Sequence, residues 1–227
     1  MIFKLTWRPQ PPLSPPERLR HTIAAIKVVV PSRPLRILDF DVEARPLHWI
    51  SGDYVSKEIT TMAWAWVGEA ATIAPVCYVL GEDQPEMMLQ AFTEAYNRAD
   101  LVTGHYIRGY DLPMINGALT EYLMPTLSDK MTQDTKLDFV RRQGLSNSQE
   151  NIGAMLDLQH PKVHMNQRRW RTANRLEPEG LVLAKERCIG DVLQHIEMRQ
   201  RCLELGYLGP PKLWESRSAV PMAPYTP

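Results

Sequence analysis

Three short runs of this sequence place carboxylates where structural elements should end. The first is Asp39-Phe40-Asp41-Val42-Glu43, which alternates acidic and apolar residues. In a strand, residues two apart share a face, so Asp39, Asp41 and Glu43 would line one side and Phe40 and Val42 the other. Acids in a mostly apolar strand are costly to bury unpaired; they sit at its exposed end or they bind cations. The second run, Val102-Thr103-Gly104-His105-Tyr106-Ile107-Arg108-Gly109-Tyr110-Asp111-Leu112-Pro113, reads as a strand end, a glycine-containing loop and an aspartate just ahead of a helix. Alone, Asp111 reads as an N-cap that accepts a first-turn amide. The third, Arg187-Cys188-Ile189-Gly190-Asp191, falls inside a long helical pattern. Arg187, Asp191 and His195 recur every four residues and form one stripe, which alone reads as a surface ion pair worth under about 1 kcal/mol.

Together the three runs bring Asp41, Glu43, Asp111 and Asp191 from a first strand, a loop after a strand and a late helix. Clustered acids raise one another's pKa and need cations to stay charged at neutral pH. Hard oxygen ligands suit Mg²⁺ or Mn²⁺. Two such ions about 3.5–4 Å apart activate a water and stabilise a leaving oxygen on phosphorus.

The elements that must position these residues follow from periodicity. Leu35 to Val42, Ile59 to Val67 and Ala71 to Leu80 read as strands, the second carrying Trp64 and Trp66 as packing residues, and Gly68-Glu69-Ala70 suits a hairpin. Pro85 to Ala99 has helical spacing with Met88, Leu89, Phe92, Ala95 and Tyr96 on one face. Leu101 to Tyr106 reads as a strand, Leu112 to Leu123 as a helix, Gln133 to Leu137 as a fifth strand and Ser148 to Leu156 as a capped short helix. Pro178 to Leu205 reads as a long helix stopped by Gly206. The expectation is an α/β domain with a mixed five-stranded sheet flanked by helices, hairpins first and crossovers later. Residues 1–35 hold seven of the 19 prolines and six Lys/Arg against one acid, and residues 209–227 hold five more prolines. Both ends read as extensions around a domain at 36–208. His21 to Val30 fits either a short helix or an edge strand.

With 227 residues, 26 basic and 26 acidic side chains and no net charge, the chain is not a histone-like wrapper of nucleic acid. Its 44% hydrophobic and 23% charged content excludes full disorder and collagen-like repeats. No run approaches the ~18 apolar residues of a membrane span, and the start lacks a signal-peptide pattern, so a cytoplasmic protein is expected. Cys77, Cys188 and Cys202 form no C-x-x-C and read as reduced thiols in or near a core.

The three acidic runs resemble the motifs of the DEDD (DnaQ-like) 3′–5′ exonucleases, which have a ribonuclease H-like fold and include the proofreading domains of DNA polymerases. Phe40-Asp41-Val42-Glu43 matches the D-x-E of the first motif. Gly104-His105 through Tyr110-Asp111-Leu112-Pro113 resembles the second as it occurs in family B polymerases, and Cys188-x-x-Asp191-Val192 resembles the third. Asp134-Thr135-x-x-Leu137 and Leu145-Ser146 through Asn151-Ile152 are similar to the segment between them, so the resemblance covers roughly residues 35–208. It implies that Asp41, Glu43, Asp111 and Asp191 bind two divalent ions, one orienting the attacking water and one stabilising the leaving 3′-oxygen, with a nucleoside 5′-monophosphate as product. It also implies that the residues around Phe40 to Ala44 hold the terminal nucleotide, with Tyr110 as a stacking or wedge residue and His105 beside it. Two positions depart from the pattern. Tyr106 stands where the second motif usually has Asn, and Arg187 and Glu186 stand where the third usually has its Tyr or His. Arg187 on the scissile phosphate and His195 as acceptor of the water's proton are the candidate replacements, unless the metals alone suffice.

Residues 162–175 hold five Lys/Arg and no acid, and interleave Lys162, Arg168, Arg169 and Arg171 with Trp170. That pattern suits phosphate contact plus base stacking, or else a solvated loop; Arg141-Arg142 would extend it. The expectation is a 3′–5′ exonuclease acting on single-stranded nucleic acid, DNA favoured over RNA, in replication, repair or degradation. A polymerase or replisome is the candidate protein partner, since a chain of this length has no room for a polymerase domain of its own. Alternatives are an exoribonuclease, a non-catalytic module that binds nucleic-acid ends, and an α/β protein whose acids are merely caps and surface pairs.

Overall fold

Alternating acidic and apolar residues build the first strand, and the rest of the sheet is assembled on both its edges. The computed structural model describes residues 33–47, 54–69, 73–140, 144–160 and 162–216; the expectations for His21 to Val30 and Arg141-Arg142 lie outside the described residues. Strand β1 (Ile37–Pro46) pairs antiparallel with β2 (Lys57–Trp66), and β2 with β3 (Val76–Val79). Helix α1 (Pro85–Arg98) leads to β4 (Leu101–Gly104), which lies parallel to β1 on its other edge. Helix α2 (Asp111–Glu121) leads to β5 (Lys130–Asp134), parallel to β4. Three helices follow, α3 (Gln149–Met155), α4 (Gln167–Asn174) and α5 (Pro178–Glu204), and then β6 (Lys212–Trp214), antiparallel to β5. The sheet order is β3-β2-β1-β4-β5-β6. This is the expected α/β architecture with a mixed sheet.

The sheet has six strands rather than five. Lys212–Trp214 was missed because three residues behind Pro210-Pro211 are too short to show alternation. Strand β5 starts earlier than Gln133 and ends at Asp134, because the Asp134 carboxylate accepts the amides of Lys136 and Leu137, both at 3.0 Å, and turns the chain out of the sheet. The segment read as a basic loop is instead helix α4, capped by Asn166, whose side chain accepts the Arg169 amide. With only Ala173 buried in it, α4 carries no apolar stripe to betray a helix. The Ser148 cap of α3 is as expected, accepting the Asn151 amide.

The two faces of β1 meet different layers. Phe40 and Val42 join Met62, Trp64, Phe92 and Leu112 in the main core on the α1/α2 side. On the other face Ala63 and Ala65 pack with Cys188 and Val192 of α5. Across the ladder the acids stand opposite small residues: Asp39 faces Ala65, Asp41 faces Ala63 and Glu43 faces Thr61. Those short side chains let α5 approach the acidic side of the strand. The register slips between Glu43 and Ala44, a bulge beside the acids, and pairing resumes with Ala44 opposite Ile59. Gly104 is required where β4 ends, because a Cβ there would meet the Phe40 carbonyl oxygen at 2.8 Å and Ile107 closer still. No helix among the described residues is long and apolar enough to cross a membrane. Cys77, Cys188 and Cys202 are free thiols, two of them buried.

Candidate functional site

Strand β1 delivers Asp41 and Glu43 to one face, and α5 crosses that face with Asp191. One carboxylate oxygen from each of the three lies within 4.8 Å of the others. Asp111, the first residue of α2, lies outside that set of three, but its charge acts on Asp41. It is not the N-cap: Tyr110 holds that position without a side-chain bond, and Asp111 Oδ1 instead accepts the Val42 amide of β1 at 3.2 Å. The N-cap reading of Asp111 is corrected by that cross-link to the neighbouring strand.

Burial and mutual repulsion shape the charge of this cluster. Burial first, then the charges of Asp191, Glu43 and Asp111, push the Asp41 carboxyl well above the usual range. Burial and Asp191 raise Glu43, against the pull of Arg187 and Lys162. Burial raises Asp191 despite the same two cations. Asp111 is pushed up to about 7, chiefly by burial, with the Val42 amide opposing and Asp134 and Glu43 adding to the rise. Acids so arranged hold protons unless a cation joins them.

Two cationic side chains are already there. Lys162 Nζ lies 3.1 Å from Asp191 Oδ2. Arg187 Nε lies 3.0 Å from the same oxygen and 3.4 Å from Glu43 Oε1, while its Nη1 donates to the Val163 carbonyl at 2.6 Å. The Arg187–Asp191 pair is therefore buried, not the surface pair that its helical spacing suggests. Asp191 Oδ1 and Thr61 Oγ1 are buried without a hydrogen-bond partner among the described residues. An all-oxygen set with an orphaned carboxylate oxygen fits a hard divalent cation.

His195 stands one turn beyond Asp191, but neither ring nitrogen is open. Its Nδ1 lies 2.6 Å from Asp39 Oδ2 and its Nε2 lies 2.8 Å from Thr135 Oγ1, with the side chain almost wholly buried. Thr135 Oγ1 in turn lies 2.9 Å from His105 Nδ1. The ring of His105 is driven down to about 3, by burial first and then by the charges of His195, Lys136 and Lys162, so it is neutral. Both histidines thus belong to an internal chain that links β1, α5 and the residues just beyond β4 and β5, which gives them a positioning place in the fold. Phe40 is corrected in the same way: it is 1% exposed and packs on Phe92 at 5.0 Å between ring centroids, so its side chain is core and cannot touch a nucleotide.

The remaining expected contact residues line two cavities or stand exposed on α4. Tyr110 is half-buried under the Lys57 ammonium, 4.9 Å from its ring, and lines an open cavity of about 810 Å³ with Tyr54, Lys57 and Met114. Trp170 lines a second cavity of about 220 Å³ together with Lys162, His164 and Arg187. Arg168, Arg169 and Arg171 are exposed on α4, which Arg45 fastens to β1 by donating to the Asn174 carbonyl at 2.8 Å.

No protein-family model and no curated protein matches this sequence. In structure the chain is similar to the family B DNA polymerase from the hyperthermophilic archaeon Pyrobaculum calidifontis. The TM-score is 0.55 at 13% identity, over 75% of this chain and 25% of that one. At that identity the likeness shows a shared fold, and this chain spans about a quarter of the polymerase.

Residues that sequence reasoning missed hold the site's frame. Asp134 accepts the amides of Tyr106 and Arg108, each at 3.0 Å, and so shapes the loop leading to Asp111. Asp138 accepts Arg108 through both oxygens, at 3.0 and 2.7 Å, and Lys212 at 2.9 Å. Tyr106, at the position that departs from the resembled motif, adopts φ 73° and stacks over Gly109. Gln149 donates to the Asp191 carbonyl at 3.0 Å. The D-x-x-x-D spacing of Asp134 and Asp138 was the available signal for this clamp.

Proposed function

We propose that this chain is a metal-dependent 3′–5′ exonuclease of the DEDD type, removing nucleoside 5′-monophosphates from single-stranded DNA ends. The convergence of Asp41, Glu43 and Asp191 within 4.8 Å, with Asp111 tied to the same strand, carries the reading. A cluster that only capped helices or paired at the surface would not be buried, mutually repelling and short of hydrogen-bond donors. Likeness in fold to part of a DNA polymerase supports a nucleic-acid substrate.

Asp41, Glu43, Asp111 and Asp191 would hold Mg²⁺ or Mn²⁺, which supplies charge stabilisation on phosphorus and a water of lowered pKa. Hydrolysis would join the oxygen of a water to phosphorus and break the bond between phosphorus and the 3′-oxygen of the preceding residue; the proton the water gives up balances the one that oxygen takes, and the phosphate leaves on the terminal nucleoside. The chain's own residues orient the strand. Arg187 and Lys162 border both the acids and the cavity lined by Trp170, so a phosphate and a base can be held beside the reacting bond. Arg168, Arg169 and Arg171 are exposed positive charges on α4, and Tyr110 lines a separate cavity. His195 and His105 act by positioning β1 and α5. A polymerase or replisome is the proposed partner in the cell.

One observation favours a second reading. Arg187, at the position of the motif's tyrosine, is itself bonded to Glu43 and Asp191, which suits a module that binds ends without cutting them. Incubation with 5′-labelled single-stranded DNA and RNA of one sequence, with Mg²⁺ or Mn²⁺, separates the readings. A metal-dependent ladder shortening from the 3′ end supports the exonuclease and selects the sugar. Binding of both strands with no shortening supports the module.

A further inference from the structure

The charge balance of the acidic cluster bears on how many ions it can take. Asp41, Glu43, Asp111 and Asp191 carry four negative charges when ionised. Arg187 and Lys162 stand among them as fixed positive charges, both on Asp191 Oδ2, with Arg187 also on Glu43 Oε1. Arg187 is not a passing surface contact: its side chain is 13% exposed and its Nη1 is anchored on the Val163 carbonyl at 2.6 Å. Two negative charges remain. One divalent cation brings the cluster to neutrality, whereas a second would leave two positive charges in excess in a largely buried site, where uncompensated charge is expensive.

Ligand capacity points the same way. The Oδ2 of Asp191 is occupied by two cationic side chains and Oε1 of Glu43 by one. Asp111 Oδ1 is taken by the Val42 amide. Within the cluster, Asp191 Oδ1 is buried without a hydrogen-bond partner among the described residues. One carboxylate oxygen each from Asp41, Glu43 and Asp191 lies within 4.8 Å of the others, which makes one three-carboxylate set.

We infer that the site takes one divalent cation, held by Asp41, Glu43 and Asp191 Oδ1, and that the guanidinium of Arg187 stands in for the charge of a second ion. This rests on the reading of the cluster as a metal site, and it replaces the two ions that the resemblance implies. A tyrosine in place of Arg187 brings no charge, which is why the departure at this position alters the ion count rather than merely removing a hydroxyl.

Calorimetric titration of the full chain with Mn²⁺, with electron paramagnetic resonance counting bound ions, gives the number directly. The expected result is one Mn²⁺ per chain for the wild type and for Arg187→Lys, and two for Arg187→Gln, the second binding at least about tenfold more tightly than any residual second binding in the wild type. Asp41→Ala serves as the control and binds no ion at the site. Two ions of similar affinity in the wild type overturn the inference and leave the metal site standing. No binding in the wild type, or binding that Asp41→Ala leaves unchanged, overturns the metal-site reading and the inference with it. The wild-type count decides the matter even if Arg187→Gln does not fold.

Discussion

A carboxylate's chemistry at this site is set by what its oxygens meet. Asp111 shows this best, because it is buried, accepts a single strand amide and is pushed up to about 7, burial being the main cause. Without metal, folded Asp111 keeps its proton to about pH 7, while in the unfolded chain it releases it near 3.8. Between those values the folded state binds more protons, so its contribution to stability is fully present below about pH 4 and is lost as pH rises through 7. In EDTA, the melting temperature of Asp111→Asn relative to the wild type should therefore rise from pH 5 to pH 8. A difference that is flat across that range would contradict the assignment. At this scale the approach of Asp41, Glu43 and Asp191 to one another was legible from residue type and spacing. The partners of Arg187 and His195 were not, because a long or bifunctional side chain can satisfy several neighbours and only the packed helix shows which. Phe40 was misread for a related reason: adjacency to Asp41 in sequence puts it on the opposite face of the strand.

At the scale of elements, the loop between β4 and α2 is held by a pair of aspartates. Asp134 gathers backbone amides, and Asp138 locks Arg108. Burial raises the Asp138 carboxyl, but bonds from Arg108, the Asp134 amide and Lys212 outweigh it and leave it below the usual range. Its contribution is present above about pH 4 and is lost as pH falls further. Asp138→Asn removes the charge opposite a mostly buried guanidinium. It should cost about 3 kcal/mol in urea unfolding at pH 7. A cost within about 0.5 kcal/mol, the range of an ordinary surface change, would show that the clamp is not structural. The long helix and the first strands were legible because their apolar periods are long. Strand β6 and helix α4 were not, since one is three residues and the other buries a single alanine. Helix α4 closes on α5 at Gly180, where a Cβ would meet the Thr172 carbonyl oxygen at 2.4 Å, a close approach that no local pattern announces.

Over the whole molecule, zero net charge conceals a segregated surface. A basic helix lies beside a cluster of acids, and the strand's phosphates are expected along the former. Replacing Arg168, Arg169 and Arg171 together by Ala should weaken single-stranded DNA binding and flatten the logarithmic salt dependence by about 0.7 for each phosphate no longer neutralised. Because these side chains are exposed, the melting temperature should hold. Unchanged affinity and slope, measured by fluorescence anisotropy over several salt concentrations, would place the strand elsewhere. The class of fold was legible from the order of strands and helices, and the position of residues 162–175 just before the long helix suggested that they overhang the site, where Trp170 shares a cavity with Lys162 and Arg187.

The central claim is that clustered carboxylates on β1, α2 and α5 direct water onto a terminal phosphodiester. It is tested most directly by chromatographic identification of the first product released from a 3′-end-labelled single strand by the wild type and by Asp41→Ala. A labelled nucleoside 5′-monophosphate should appear only with Mg²⁺ or Mn²⁺, and its rate of release should fall by about a hundredfold in the variant. Release of that product at equal rates by both proteins, or without a divalent ion, would contradict the claim.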